Sequence, residues 1–347
     1  LTAVIKAVDE YQDLLRMSVA SAGNDHRLGA NEAPPAIVSM FLGEELTEVI
    51  DALEHDVKYR GKGKQVMKLG VDTLPDLPKD TTDRNRTSPF AFTGNKFEFR
   101  MLGSTFSIAG PNIIINTIVA DALRGFADEL EAAPDFNAAL HDLVVRTIKE
   151  HKRIIFNGNN YTDEWTKEAK KRGLLNLRNS AEALPHFADK KNIEMFDRNQ
   201  VFTEREVVTR TEIMLENYGK VLTIEALTMI EMGKKDIYPA VNEYILELCK
   251  VIRSKKAACE DIDVSAEQAA VKKLSAANEA MYGKIGEIEQ LLVDVKGCEG
   301  AEATAKFFAD KIIPVMQEMR AYADEMELNT AKKYWPFPTY GDILFSV

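Results

Sequence analysis

Cysteine is scarce in this sequence of 347 residues, which contains only Cys249, Cys259 and Cys298. Three is an odd number and too few for a disulfide framework, so the composition favours a reducing compartment and we expect a cytoplasmic protein. Long apolar runs are also missing. The run at residues 113–115 is far too short to cross the hydrocarbon core of a bilayer, and we therefore expect no membrane partner.

Excess positive charge is missing as well. Lys and Arg total 44 against 55 Asp and Glu, which gives a formal net charge of −11. General nucleic-acid binders neutralise many phosphates with bulk positive charge, so this balance excludes that class, although it allows a local basic pocket. Hydrophobic residues at 45% and charged residues at 29% are typical of a globular protein, and the length predicts two or three domains.

Common cofactor motifs are absent from the sequence. It has neither a Walker loop nor a Gly-x-Gly-x-x-Gly fingerprint, and Asp261-Ile-Asp263 lacks the glycine and final Glu of a calcium loop. The five histidines lack metal-ligand spacing, and each is predicted to be a surface or satisfied core residue. The chain also begins with Leu1, within a helical pattern and without signal-peptide features, so we expect residues upstream of it.

Helical periodicity dominates most of the chain. It predicts helices over 1–20, 36–54, 111–132, 135–152 and 301–330, the last interrupted by Pro314. Capping boxes that begin at Thr203 and Ser265 predict the starts of two further long helices. The aromatic and Pro-rich segment from Tyr334 is predicted to dock as extended chain.

A β-hairpin is predicted in which strands 89–93 and 96–102 flank a Gly-Asn turn. Because side chains alternate along a strand, the second strand has an apolar face with Phe97, Phe99 and Met101 and a charged face with Lys96, Glu98 and Arg100. The simplest interpretation is a half-buried antiparallel strand whose polar face lies in water.

Charged residues outside the hairpin favour a functional role for the face that carries Lys96, Glu98 and Arg100. Arg84 and Arg86 lie just upstream of it, and Arg27 and Glu32 lie in the segment 25–35, where one glycine and two prolines predict a shaped loop. Guanidinium groups suit carboxylate and phosphate oxygens, and a carboxylate beside them can hold a divalent cation. This inventory suits phosphoryl transfer, in which charge neutralisation does most of the work.

Three strings of residues resemble the glutamine synthetase family, and specifically the C-terminal half of its catalytic domain. They are Arg27-Leu-Gly-Ala-Asn-Glu-Ala-Pro, Asp83-Arg-Asn-Arg-Thr-Ser and Lys96-Phe-Glu-Phe-Arg. The full spelling from Arg84 to Gly103, and the ending Tyr334-Trp-Pro-Phe-Pro-Thr-Tyr-Gly-Asp, resemble the type III (long-chain) branch. The resemblance covers essentially the whole chain.

The resemblance implies an ATP-dependent ligase that joins ammonia to the γ-carboxylate of L-glutamate through γ-glutamyl phosphate. By matching position, Arg27 and Arg100 would bind the substrate. Glu32 would be the flap glutamate that closes the site and takes a proton from ammonium. Arg86 would act on the transferring phosphate, and a flap carboxylate suits a site that must exclude water from an acyl phosphate.

The resemblance also implies ATP and Mg²⁺ or Mn²⁺ as cofactors. Arg86 and Lys96 would bind ATP, and Glu98 would be a metal ligand, since a buried carboxylate beside Arg100 is costly unless it is paired or metal-bound. Two departures from the shorter relatives stand out. Their arginine five residues after Arg86 is Ala91 here, and the loop between Arg27 and Glu32 is one residue shorter.

The expected fold class is α+β. We expect residues 1–224 to form the C-terminal part of the catalytic domain, with antiparallel strands of a half barrel and helices, and 225–347 to form the mainly helical type III extension. The family's Glu-x-Glu metal strand, metal-binding histidine and N-terminal β-grasp domain are not in these residues. We therefore expect a fragment that is inactive alone.

The resemblance implies a homo-oligomer of stacked hexameric rings, since the extension could contact other subunits. Its apolar positions, such as Leu274, Met281, Ile285 and Ile288, most simply form the core of an antiparallel helical bundle. Two alternatives stay open. The chain could be a non-catalytic helical scaffold or regulatory paralogue, or it could belong to another carboxylate–amine ligase.

Overall fold

A computed structural model of the chain describes residues 1–30, 33, 35–59, 61, 66–67, 77–78 and 87–345. The described chain divides into two compact units, Leu1–Met214 and Leu215–Val347. This division falls inside one continuous helix, Glu204–Met232. The domain boundary predicted at 224/225 stays a prediction.

The first unit is mostly helical around a small sheet. Its described helices are α1 Thr2–Glu10, α2 Gln12–Met17, α3 Ala22–Arg27, α4 Glu44–Glu54, α5 Ala109–Glu131, α6 Phe136–His151, α7 Asp163–Lys171, α8 Ser180–Ala183, α9 Lys190–Arg198 and the start of α10 Glu204–Met232. The strands are β1 Met40–Phe41, β2 Val66–Met67, β3 Leu77–Pro78, β4 Phe90–Phe92 and β5 Phe97–Phe99. Single 3₁₀ turns occupy Lys152–Ile154 and Leu184–Ala188.

The sheet has the order β1-β4-β5. Strand β1 pairs in parallel with β4, and β4 pairs antiparallel with β5. Strand β1 lies inside the segment 36–54 that periodicity assigned to a helix, so that prediction is wrong for its first part. Residues 36–40 and 42 are buried, which suits a short internal strand, and Gly43 with φ +82° breaks the chain before α4 begins.

The predicted helix over 1–20 is interrupted at Tyr11, whose φ of −117° separates α1 from α2. All six residues of α2 are buried, including Gln12, Asp13 and Arg16. Buried charges need partners, so each polar side chain of this short helix bonds to another part of the unit. Helix α2 is therefore a fixed internal support rather than a surface helix.

Helix α3 was not predicted, and its last three residues lie in the segment 25–35 that is predicted as a loop. The Ser21 hydroxyl accepts a hydrogen bond from the backbone N–H of Asn24 and caps the helix. The loop prediction is confirmed for the described residues Gly29, Ala30, Ala33 and Pro35, which are not helical, and Gly29 has φ +78°. Arg27 therefore lies in the last turn of a helix, and this fixes its backbone.

The second unit is a helical bundle. Its described helices are the remainder of α10, α11 Tyr238–Ala258, α12 Ser265–Asp294, α13 Ala301–Phe307, α14 Ile313–Asn329 and α15 Tyr340–Phe345, with a 3₁₀ turn at Val295–Gly297. Helix α12 packs against both α11 and α14. The predicted core positions Leu274, Met281, Ile285 and Ile288 are all buried, which confirms the bundle.

Two π-helical turns, Gly233–Ile237 and Phe308–Ile312, precede Pro239 and Pro314. Proline cannot donate a helical hydrogen bond and its ring clashes with the preceding turn, and a π turn accommodates both effects. The interruption predicted at Pro314 is therefore a local widening of the helix. Outside α15, the aromatic tail is not helical, and Tyr334 packs against Tyr244 with ring centroids 5.3 Å apart.

The first predicted capping box is confirmed and the second is wrong. The backbone N–H of Thr203 donates to the Glu206 carboxylate at 2.8 Å, and Glu206 N–H donates back to the Thr203 hydroxyl at 3.4 Å. At α12, the N-cap residue is Val264, which has no side-chain capping bond, and the preceding Asp263 carboxylate accepts from Ser265 N–H at 2.8 Å. Among the described helices, none has the length and apolar character needed to cross a membrane.

Candidate functional site

The β4–β5 hairpin carries the predicted charged face. The register pairs Phe92 with Phe97, Ala91 with Glu98 and Phe90 with Phe99, which confirms the predicted turn at Gly94 and Asn95. The Phe90 ring lies 5.6 Å from that of Phe97 and 5.8 Å from that of Phe99. This aromatic packing fixes the apolar face and leaves the charged residues on the other side of the strand.

Glu98 is the centre of the charged face. Its Oε2 accepts hydrogen bonds from Nη2 and Nε of Arg100 at 3.0 and 3.2 Å, and Oε1 lies 3.3 Å from Nζ of Lys96. The Thr93 hydroxyl donates to Oε1 at 3.4 Å. Hydrogen bonding from Arg100, and then from Lys96, lowers the pKa of Glu98 despite some desolvation, so the carboxylate is ionised at neutral pH.

The expectation that Glu98 is buried is wrong. The Glu98 side chain is 36% exposed, whereas that of Arg100 is only 13% exposed. An ionised carboxylate at a hairpin surface is readily hydrated, so its burial energy gives no argument for a metal. For metal binding, the relevant property of Glu98 is that a ligand can reach its carboxylate.

Arg27 is held in place at the end of α3. Its Nε donates to Oδ1 of Asn24 at 2.9 Å, and its Nη2 donates to the carbonyl oxygen of Met101 at 2.7 Å. Met101 directly follows Arg100. The structure thus ties Arg27, in the last turn of α3, to the backbone just beyond β5, next to Arg100. The substrate-binding roles of Arg27 and Arg100 stay predictions.

Helix α3 is itself anchored by Asp25. Its carboxylate pairs with Arg16 and accepts hydrogen bonds from the backbone N–H and hydroxyl of Ser180 at 2.7 and 2.9 Å. Burial raises the pKa of Asp25, while Arg16 and Ser180 act in the opposite direction. Arg27 therefore extends from a helix that is bonded to both α2 and α8.

Several predicted site residues lie outside the described residues. These are Glu32, Arg84 and Arg86, and nothing in the structure tests their roles. Ala91, which replaces an arginine of the shorter relatives, is described: it is fully buried on β4 and is the cross-strand partner of Glu98. Directly opposed residues project from the same face, so a small methyl group lies beside Glu98.

Asn24 and Thr93 contact the candidate site residues but were not predicted from the sequence. Asn24 lies three residues before Arg27, which is a contact spacing on a helix, but the pattern at 25–35 predicts a loop and so does not pair the two residues. Thr93 directly follows β4, and its hydroxyl donates to Glu98 across the turn. The predicted strands 89–93 and 96–102 already place Thr93 beside the turn, near the charged residues of the second strand.

One further group of potential ligands lies in the first unit. Asp13, His186 and Asp189 place side-chain ligand atoms within 4.8 Å of one another. The buried Asp13 carboxylate is already paired with Lys191 at 2.9 Å, and His186 bonds to Asp189 at 2.6 Å. Each of these three groups therefore has a partner within the described residues: Lys191 for Asp13, and each other for His186 and Asp189.

The chain is similar in sequence to proteins of known family. Residues 139–256 match the sequence model of the glutamine synthetase C-terminal domain. Along its entire length the chain is 43% identical to a glutamine synthetase from Butyrivibrio fibrisolvens, covering 50% of that protein. Over 99% of its length it is 39% identical to a type-3 glutamine synthetase from Dictyostelium discoideum, covering 48% of it.

The chain is homologous to glutamine synthetases.

A third relative, a glutamine synthetase from Bacteroides fragilis (strain YCH46), is 33% identical over the whole chain, which covers 49% of that protein. The chain therefore spans about half the length of the glutamine synthetases it matches. The matched domain, 139–256, contains α7 to α10 and most of α6 and α11. The hairpin and α3 lie outside that match but within the alignments to the three relatives, including the type-3 enzyme.

Proposed function

We propose that this chain forms part of a glutamine synthetase, which ligates ammonia to the γ-carboxylate of L-glutamate and releases ADP and phosphate. Similarity to glutamine synthetases over the whole chain is the observation that carries this proposal. The position of Arg27 beside the strand of Glu98 and Arg100 supports it. The reaction would pass through γ-glutamyl phosphate, in the order implied by the sequence resemblance.

Arg27 and Arg100 are the proposed substrate-binding residues. Each guanidinium presents planar N–H donors that match a carboxylate or phosphate oxygen pair. Arg27 has only two hydrogen bonds within the described part of the chain, and several of its donors remain available. Arg100 uses Nε and Nη2 on Glu98, so its orientation is set before substrate arrives.

Glu98 is the proposed metal ligand. Mg²⁺ and Mn²⁺ prefer carboxylate oxygens, and the partly exposed, ionised Glu98 has the donor chemistry that either ion requires. When bound, such a cation would supply charge neutralisation for phosphate groups. Glu98 would hold it while Arg100 keeps the carboxylate oriented.

The proposed ATP-binding residues are Lys96 and Arg86. The proposed catalytic residues are Glu32 and Arg86. Lys96 has a 66% exposed side chain and only a loose 3.3 Å contact with Glu98, so its ammonium group can turn toward an anionic ligand. The roles of Glu32 and Arg86 rest on the sequence resemblance alone. Glu32 would close the site and accept a proton from ammonium.

Further proposals concern the domain division of the chain and the assembly of the complete protein. Residues 1–224 would be the C-terminal part of the catalytic domain and 225–347 the type III extension. The complete protein would be a cytoplasmic homo-oligomer of stacked hexameric rings. Because the chain spans about half the length of its relatives, the 347 residues alone would be inactive.

Phosphate release tests the proposal. The protein is expressed from its complete reading frame and supplied with L-glutamate, ATP, Mg²⁺ and ammonia. We expect phosphate release that depends on both glutamate and ammonia, with formation of glutamine. Turnover with a different amine would indicate another carboxylate–amine ligase, and no ammonia-dependent turnover would refute the proposal.

A further inference from the structure

Asn24 is nearly completely buried, with 3% of its surface exposed, and its side chain uses both ends of its amide. The Nδ2 group donates to the carbonyl oxygen of Val19 at 2.7 Å and to that of Met101 at 2.9 Å. The Oδ1 atom accepts from Nε of Arg27 at 2.9 Å. One side chain of α3 therefore links the chain before that helix, the chain just beyond β5 and the guanidinium of Arg27.

The Met101 carbonyl oxygen is the shared point of this arrangement. It accepts from Nδ2 of Asn24 and from Nη2 of Arg27, at 2.9 and 2.7 Å. Asn24 and Arg27 thus bind each other and the same backbone atom. A closed set of three hydrogen bonds fixes a guanidinium plane far better than a single bond to a flexible partner.

The two hydrogen bonds leave a defined part of Arg27 for a ligand. A guanidinium has five N–H donors, of which Nε uses its one on Asn24 and Nη2 uses one on Met101. Within the described part of the chain, both donors of Nη1 and one of Nη2 make no hydrogen bond. These two terminal nitrogens form the pair that binds a carboxylate through two parallel hydrogen bonds.

We infer that Asn24 is a positioning residue for substrate binding, which sets the plane of Arg27 so that its terminal nitrogens face the carboxylate of the amino-acid substrate. This inference rests on the proposed function for the identity of the substrate. Asn24 itself does not touch the substrate. It acts through Arg27 and joins that arginine to the carbonyl oxygen of Met101, the residue that follows Arg100.

A double-mutant cycle on the complete protein tests this role. Loss of a hydrogen bond to a charged group weakens an interaction by about 10-fold or more, so Asn24→Ala should raise KM for L-glutamate by about that factor while KM for ATP stays the same. In an Arg27→Ala background, Asn24→Ala should leave kcat/KM for glutamate unchanged, because the group through which Asn24 acts is gone. Equal losses in both backgrounds, or equal losses for glutamate and ATP, would overturn the inference.

Asn192→Ala is the matched control. Asn192 is also fully buried, and its Nδ2 donates to Asp13 and to the His186 carbonyl oxygen, but none of these groups contacts Arg27 in the described structure. It should lower thermal stability to an extent comparable with Asn24→Ala and leave KM for glutamate unchanged. A rise in KM equal to that of Asn24→Ala would show that loss of any buried amide suffices, and would contradict the positioning role.

A crystal structure of Asn24→Ala separates this inference from the proposed function. Displacement of the Arg27 guanidinium from the Met101 carbonyl oxygen would support the positioning role, whatever the activity of the wild-type protein. Absence of ammonia-dependent turnover in the wild-type protein would refute the proposed function but not the positioning role. An unmoved guanidinium would overturn the inference whatever the activity.

Discussion

Arg16 and Asp25 form an ion pair with 3.1 Å between Nη2 and Oδ1, although their side chains are only 1% and 7% exposed. Arg16 also donates from Nε to the carbonyl oxygen of Leu177 at 2.8 Å. The pair joins α2 to α3, and Arg27 lies two residues beyond Asp25. The geometry of the candidate site therefore depends on a buried charge pair that does not itself contact a ligand.

Arg16→Met should strongly destabilise the first unit. Removal of one partner of a buried pair leaves an uncompensated charge, which lowers the free energy of unfolding by about 3–5 kcal/mol. The measurement is denaturant unfolding followed by circular dichroism. Lys190→Ala is the control, because Lys190 and Glu194 form an exposed pair at 3.7 Å that is worth at most about 1 kcal/mol. Equal effects of the two substitutions would contradict the structural role of Arg16.

The stability contribution of Asp121 should depend on pH. Asp121 accepts hydrogen bonds from Nε and Nη2 of Arg198 at 2.6 and 2.7 Å and from Asn199 at 2.8 Å. Burial raises its pKa, but these hydrogen bonds outweigh burial, and the pKa in the folded protein is lowered. Stability from such a carboxylate is present above the pKa of the unfolded chain and is lost as the pH falls through the folded pKa.

The test compares the wild-type protein with Asp121→Asn. The difference between their free energies of unfolding should be largest near neutral pH and should shrink below about pH 4, where the unfolded carboxylate takes up its proton. Reversible urea unfolding at a series of pH values from neutral to acidic measures this difference. A difference that stays constant over the whole series would show that the ionised form of Asp121 adds no stability.

The hairpin could be predicted from the sequence because every signal for it is local. Strict alternation of charged and apolar residues and a Gly-Asn turn fix both strands and their register within about 14 residues. The link between Asn24 and Met101 spans 77 positions, and no local pattern encodes it. Long-range hydrogen bonds of this kind depend on tertiary packing, so the support of Arg27 became visible only in the structure.

Errors in the predicted helices have a similar origin. The segment 36–43 is apolar enough for either a helix or a buried strand, and short apolar runs do not distinguish the two by periodicity. Strand β1 forms there because β4 provides a partner. At α3 the polar composition suggested a turn, but the Ser21 cap and the Arg16–Asp25 pair stabilise six helical residues. Tertiary contacts override local preference in both places.

The two capping sites allow a direct comparison. Thr203→Ala should lower the free energy of unfolding by about 1 kcal/mol, since it removes the acceptor for Glu206 N–H. At α12, Asp263→Ala should lower the melting temperature more than Ser265→Ala, because the Asp263 carboxylate accepts a hydrogen bond from the backbone N–H of Ser265, the first residue of the helix. Differential scanning calorimetry gives both values. A larger effect of Ser265→Ala would restore the capping box predicted from the sequence.

Glu98→Gln should weaken metal binding by the complete protein. The substitution keeps the size of the side chain but removes the charge that a hard divalent cation requires. Titration of the protein with Mn²⁺, followed by electron paramagnetic resonance, should show loss or weakening of one site, together with a lower rate of phosphate release. Glu164→Gln, at an exposed position in α7, should change neither quantity. Unchanged Mn²⁺ affinity and rate in Glu98→Gln would exclude Glu98 as a metal ligand.

Glu32→Ala should impair the use of ammonia more than the binding of ATP. If Glu32 closes the site and accepts a proton from ammonium, its loss leaves the nucleophile protonated and the acyl phosphate open to water. KM for ammonia should rise while KM for ATP stays near its wild-type value, and ADP formation without matching glutamine formation should increase. Steady-state kinetics with separate assays for glutamine and phosphate distinguish these effects. Equal losses for ammonia and ATP, with phosphate and glutamine still formed in equal amounts, would place Glu32 outside the ammonia step and leave only a general structural effect of the substitution.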